Sequence, residues 1–185
     1  HNHRSGKILK HWDSQTGQEW ITLTGHTQTL EDIVFSPDGK YLATASADTT
    51  VKIWDVGSGD ELHTLQGHPD LVWNVSFSPD SALLATAGFE LTKVWDVATG
   101  HLQQTLNGQH APVAFNSVGR QLATSSEDGR TILWEGNTCQ DILYLPFTAN
   151  ALAFSPDGSQ LATAMMELKV WDVSTAREQV SVSGF

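Results

Sequence analysis

The chain has 185 residues, 39% of them apolar, and carries 21 acidic against 10 basic side chains for a net charge of −11. That is enough chain and enough apolar matter to build a sizeable core. No run approaches the ~18 apolar residues that would span a bilayer, and the acid excess argues against a phosphate-binding surface for DNA or RNA. No secretory signal is visible behind His1-Asn2-His3-Arg4, and the lone Cys139 has no internal disulfide partner, which together lead us to expect a cytoplasmic protein.

Residues 6–24 read as two strands, Lys7 to Asp13 and Glu19 to Thr24, the second containing Trp20. Residues 25–66 read as four: Leu30 to Ser36, Tyr41 to Ser46, Val51 to Val56 and Glu61 to Gln66. The breaks between them are Pro37-Asp38-Gly39, Ala47-Asp48-Thr49-Thr50 and Gly57-Ser58-Gly59-Asp60, rich in the residues that preset, hydrogen-bond or permit turn conformations. In the second of these strands Leu42, Thr44 and Ser46 share one face and Tyr41, Ala43 and Ala45 the other. Both faces are apolar or small, as burial on both sides requires. The same parse repeats over 67–107, 108–146 and 147–185.

Three motifs keep one beat. Trp12-Asp13, Trp54-Asp55, Trp95-Asp96, Trp134-Glu135 and Trp171-Asp172 stand 42, 41, 39 and 37 residues apart. Ser36-Pro37-Asp38-Gly39 returns as Ser78-Pro79-Asp80-Ser81, the degenerate Asn116-Ser117-Val118-Gly119 and Ser155-Pro156-Asp157-Gly158. Leu-Ala-Thr recurs at Leu42, Leu84, Leu122 and Leu161. A period of ~40 residues made of short strands predicts an all-β chain, a β-propeller of four full four-stranded blades plus the last two strands of a preceding one, in a single domain over residues 1–185. The spacing predicts shortened turns between the second and third strands of the 67–107 and 147–185 units, the latter at Met165-Met166-Glu167. The open edges of such an arc lead us to expect that further blades or another chain close the ring.

With Gly25-His26 and Gly67-His68 added, the motifs resemble the WD40 repeat family over essentially the whole chain, in a style similar to arrays common in bacteria. Singly they are weak dipeptides; at one period they are specific. The resemblance implies a ring of about seven blades, with a buried hydrogen-bond chain of His, Asp, Ser or Thr, and Trp in each blade. Carried over by position, the 25–66 unit uses His26, Asp48, Thr44 and Trp54. The next has His68, Thr86 and Trp95, with Glu90 where Asp is expected. The third has Thr124, Asp128 and Trp134 with a displaced His110, and the last has Thr163 and Trp171 with Glu167 in place of Asp and no equivalent His.

The resemblance also implies a non-catalytic scaffold that binds partner proteins on the rim. Its positions fall on Thr29, Glu31 and Ala47 in one unit and on Leu71, Trp73 and Phe89 in the next. Trp73 stands outside the Trp-Asp pattern, so a rim hot spot and packing between blades are both open for it. The alternative function is a sensor domain of a larger switch ATPase or kinase. No GxxxxGK[ST] loop is present, so any ATPase would lie outside these residues. A propeller hydrolase ranks last. The His-Asp-hydroxyl set recurs in several units, whereas a catalytic set occurs once. No cofactor is expected. His1 and His3 are the only tight histidine pair, His11, His63 and His101 read as isolated solvated residues, and no metal-ligand spacing appears. Nothing basic flanks Cys139 to activate it.

Overall fold

The computed structural model describes residues 8–12, 15–17, 19–107, 109–118, 121–126, 128–136, 138 and 140–183, with the side chains of 8–12, 19–21 and 109–111 outside the description. His1, His3, Asp13, Gly108, Gly119, Cys139 and Phe185 lie outside the described residues, as do the side chains of His11, Trp12, Trp20 and His110.

Among the described residues the chain folds as strands and turns. The first sheet pairs β1 (Ile8–Trp12) with β2 (Glu19–Thr24). The second runs β3 (Leu30–Phe35), β4 (Tyr41–Ser46), β5 (Val51–Asp55) and β6 (Glu61–Leu65). The third runs β7 (Asn74–Phe77), β8 (Leu83–Ala87), β9 (Leu91–Asp96) and β10 (Leu102–Asn107). The fourth comprises β11 (Gln109–Phe115), β12 (Gln121–Ser126), β13 (Arg130–Glu135) and β14 (Asp141–Leu145). The fifth comprises β15 (Ala151–Phe154), β16 (Gln160–Ala164), β17 (Glu167–Asp172) and β18 (Glu178–Ser183). Every pairing is antiparallel between chain neighbours, the up-and-down order of a propeller blade. Three strands of the 25–66 unit end one residue earlier than the sequence suggests, leaving Ser36, Val56 and Gln66 outside them. Ser36 N bonds Tyr41 O and Val56 N bonds back to Lys40 O, each at 2.9 Å.

Sheets stack face to face along the chain, with a core at each junction. Between the second and third sheets Ala43, Ala45, Val51 and Ile53 meet Val72, Val75, Phe77, Leu84 and Trp95. Ala85, Ala87 and Val94 then meet Val113, Phe115 and Leu122, and Ala123, Leu133 and Leu145 meet Leu161 and Trp171. Leu23 of the first sheet packs on Leu42 and Trp54. The Leu-Ala-Thr strands are inner strands of the four-stranded sheets, and Ala43, Ala85 and Ala123 are fully buried, Ala162 half-buried. A small side chain there lets two backbones approach closely enough for the larger residues around it to interlock.

The last two strands of each sheet carry a register shift beside the tryptophan, at Trp12, Trp54, between Leu102 and Gln104 opposite Trp95 and Val94, at Trp134 and at Trp171. Such a bulge increases local twist. The aspartate after the tryptophan then closes the hairpin: Asp55 Oδ1 accepts from Ser58 N at 2.8 Å, Asp96 Oδ1 from Thr99 N at 2.8 Å and Asp172 Oδ1 from Thr175 N at 2.9 Å.

Candidate functional site

At the end of the second sheet where β3 begins and β4 ends, His26 returns from the preceding loop and is buried. Its Nδ1 lies 2.9 Å from Asp48 Oδ2 and its Nε2 lies 2.8 Å from Thr44 Oγ1, which also accepts the Trp54 indole N–H at 2.9 Å. Asp48 further accepts from Thr27 N at 2.8 Å and from the Thr50 hydroxyl at 2.6 Å. Burial alone raises the Asp48 carboxyl, but the donors Thr50, Thr27 and His26 outweigh it, and the net direction is downward. The carboxylate holds the ring as the Nδ1–H tautomer, leaving Nε2 to accept the Thr44 proton.

The third sheet keeps only part of this chain. His68 Nε2 lies 2.8 Å from Thr86 Oγ1, which accepts Trp95 N–H at 2.9 Å. The turn from β8 to β9 is one residue shorter than its counterpart, and Glu90 at its tip is exposed rather than turned in to His68. His68 Nδ1 is buried without a partner, as is Thr92 Oγ1. Burial, aided by the Lys93 ammonium, pushes the His68 pKa down to about 4. Lys93 itself is buried and reaches Thr105 Oγ1 at 3.2 Å, whereas the matching Lys52 ion-pairs with Glu61 at 2.8 Å. The position of Glu61 is taken by Leu102, which pairs with Trp95 as Glu61 pairs with Trp54. Sequence reading missed these buried lysines; a Lys two residues before each Trp was their signal.

In the fourth sheet Trp134 N–H reaches Thr124 Oγ1 at 2.8 Å, while Asp128 pairs with Arg130 at 2.9 Å. In the fifth, Trp171 N–H reaches Thr163 Oγ1 at 2.9 Å. Glu167 does not stand in for the turn aspartate. Only Met165 and Met166 separate β16 from β17, so Glu167 is already the first residue of β17 and faces Lys169 at 3.7 Å.

The partner-binding candidates gather at the same end. Thr29 O accepts Ala47 N at 2.9 Å, and Val72 N bonds Ser46 O at 3.2 Å, which brings the β7 lead-in beside the β4 end. Asp32 Oδ2 accepts from Asn74 Nδ2 at 2.7 Å and Val75 N at 2.9 Å, so Glu31 near the start of β3 lies beside the lead-in to β7 that carries Trp73. Trp73 N donates to Ala87 O at 2.9 Å, and Phe89 follows two residues later. Trp73 is 47% exposed and Phe89 60% exposed. Thr29 and Glu31 are exposed, and Leu71 and Ala47 half-buried. His63 is half-buried, and its Nε2 lies 3.2 Å from Ala98 O of the next sheet's hairpin. His101 is exposed.

Among the described residues no group of three or more His, Cys, Asp or Glu side chains is placed to hold a metal ion, and no helix is long and apolar enough to cross a membrane. The family model for the WD domain, G-beta repeat, matches residues 17–55, 59–96 and 100–135. The chain belongs to this family. Each matched span starts in the outer strand of one sheet or the hairpin before it and ends at the third strand of the next, so one WD40 repeat bridges two sheets. Periodic tryptophan protein 2 of Arabidopsis thaliana is 32% identical over 89% of the chain, and nuclear distribution protein PAC1 of Arthroderma benhamiae 29% identical over 95%. The chain spans 19% and 36% of the length of these two WD40 relatives. Pre-mRNA-processing factor 19 homolog 2 of Arabidopsis thaliana is 29% identical over 48% of the chain.

Proposed function

We propose that this WD40 chain is a non-catalytic scaffold that binds a partner protein on the rim formed where β3 and β7 begin and β4 and β8 end. The observation that carries the reading is the exposure there of two large aromatic side chains, Trp73 and Phe89, on segments joined by the Trp73 N to Ala87 O bond. Aromatic anchors on a rigid, otherwise polar rim are what protein interfaces use as hot spots. The His-Asp-Thr-Trp chain supports a non-catalytic reading. Its hydroxyl is buried inside the sheet and engaged on both sides, by His26 and by Trp54, so it is held as part of the packing and not presented to a substrate.

Affinity capture with Trp73→Glu beside the unaltered protein tests this, with partners quantified by mass spectrometry and both proteins melted in parallel. Specific partners should be lost at an unchanged melting temperature. Retention of every partner by Trp73→Glu and by Phe89→Glu would remove the rim from consideration.

A further inference from the structure

The rim has a charge pattern as well as an apolar one. Glu31, Asp70 and Glu90 are all exposed around Trp73 and Phe89, and among the described residues none of the three has an ion-pair partner. Asp70 is tied only to its own loop, accepting Leu71 N at 2.7 Å. Among the described residues four cations are paired elsewhere. Lys40 pairs with Asp38 at the opposite end of the sheets, Arg130 with Asp128, Lys52 with Glu61 and Lys169 with Glu178. Glu90 is the telling member. In the second sheet the acid of this turn faces inward to His26; here the shortened turn turns it outward and leaves His68 Nδ1 unpartnered beneath Gly88. The third sheet thus loses an internal hydrogen bond while its rim gains a free carboxylate beside Phe89.

We propose that this rim takes a basic peptide segment, with an apolar side chain seated against Trp73 and Phe89 and flanking Lys or Arg side chains directed to Glu31, Asp70 and Glu90. The inference rests on the rim reading above and adds the chemistry of the partner. The apolar pair supplies the anchor. The three acids steer and select, disfavouring acidic segments by like-charge repulsion. An acidic rim on a chain of net charge −11 draws a cationic segment at distances up to the Debye length, about 10 Å at 0.1 M salt, so binding should weaken as salt rises.

The test is a selection of random peptides of about twelve residues displayed on phage against the immobilised chain, followed by affinity measurement on synthesised winners. Winners should carry Lys or Arg around an aliphatic or aromatic residue. They should lose binding to Trp73→Ser with Phe89→Ser. They should weaken about tenfold against Glu31→Gln, Asp70→Asn and Glu90→Gln combined, and the weakening should vanish in 1 M salt. All five positions are exposed, and a melt of each variant checks that the fold stands. Winners that need Trp73 and Phe89 but are neutral or acidic would overturn the charge inference and leave the rim reading in place. Winners indifferent to Trp73 and Phe89 would overturn both, and a selection that enriches nothing would overturn the inference that a short linear segment is the ligand.

Discussion

Two aspartates in turns of the same sheet carry very different loads. Asp48 joins His26, Thr27 and Thr50, whereas Asp38 is exposed and serves the Ser36 hydroxyl at 2.6 Å and Lys40 N at 3.1 Å. Asp48→Ala strands a buried imidazole N–H and should cost about 1–3 kcal/mol. Asp38→Ala should shift the melting temperature less, and equal shifts would deny the network a structural role. The carboxyl of Asp38 is held down to about 2, first by the Ser36 hydroxyl and then by Lys40 N. Asp48 and Asp38 thus lend stability that is full above the unfolded value near 3.8 and lost as the pH falls through the folded one. His68 acts in a different window. Its folded pKa, about 4, lies below the ordinary 6.5, so the unfolded chain binds the proton first. Stability from this residue is intact above 6.5 and drains as the pH falls towards about 4, by up to roughly 3 kcal/mol. Denaturant melts between pH 7 and 4 should show this slope, and His68→Leu should flatten it while lowering the starting stability. An unchanged slope in that variant would mean that His68 is protonated in the fold or reached by water.

At the scale of the turn, the Ser-Pro-Asp-Gly units are distinguished by what their fourth residue meets. Gly39 takes φ +73° with nothing near its missing Cβ, while Gly158 takes φ +70° with the Asn116 amide where a Cβ would stand. Gly39→Ala therefore pays only for the left-handed backbone, about 1–2 kcal/mol. Gly158→Ala pays that and displaces Asn116, whose Nδ2 donates to Gly158 O at 3.0 Å across the fourth and fifth sheets. Thermal melts should rank Gly158→Ala below Gly39→Ala, and adding Asn116→Ser should recover part of the difference; equal melting would dissolve the distinction. These turns, with the Leu-Ala-Thr strands and Trp-Asp ends, made the order of strands legible in sequence, because each marks its position by chemistry that is local to a few residues. The Thr44–Trp54 and Thr86–Trp95 bonds were expected from the family resemblance, carried over position by position. What escaped depended on length and direction. Glu90 and Glu167 have the right charge, but a turn shorter by one residue or two carries the carboxylate outward or into the next strand. Lys52 and Lys93 drew no reading from sequence, because only the stacking of sheets buries them. The exposure of Trp73 was undecidable from its residue type, since a tryptophan at the head of an inner strand serves a core or a rim equally well.

Across the whole molecule the sheets are joined by more than apolar faces. Asn74 is a hinge-pin of the inner strands: its Nδ2 donates to Asp32 of β3, and its Oδ1 accepts Val113 N of β11 at 2.8 Å, so one side chain ties three successive sheets. Ser76 repeats the outward half of this link, accepting Phe115 N at 3.0 Å. In a repeat array stability is set by each unit and by its interfaces, and cooperativity lives in the interfaces. Asn74→Leu keeps the size of the residue and removes both ties, leaving the Asp32 carboxylate and Val113 N–H short of a partner in a half-buried seam. The cost should be about 1–3 kcal/mol, but the more telling effect is on the form of unfolding. With the third sheet loosened from both the second and the fourth, tryptophan fluorescence and far-ultraviolet circular dichroism should cease to trace one transition in urea, and the apparent slope of each should fall. Ser76→Ala, which cuts a single tie, should lower the midpoint while the two probes still coincide. Coincident transitions of undiminished slope in Asn74→Leu would show that the apolar junctions alone hold the array together, and the rim that carries Glu31 near the start of β3 and Trp73 just before β7 would then owe its rigidity to the core beneath it.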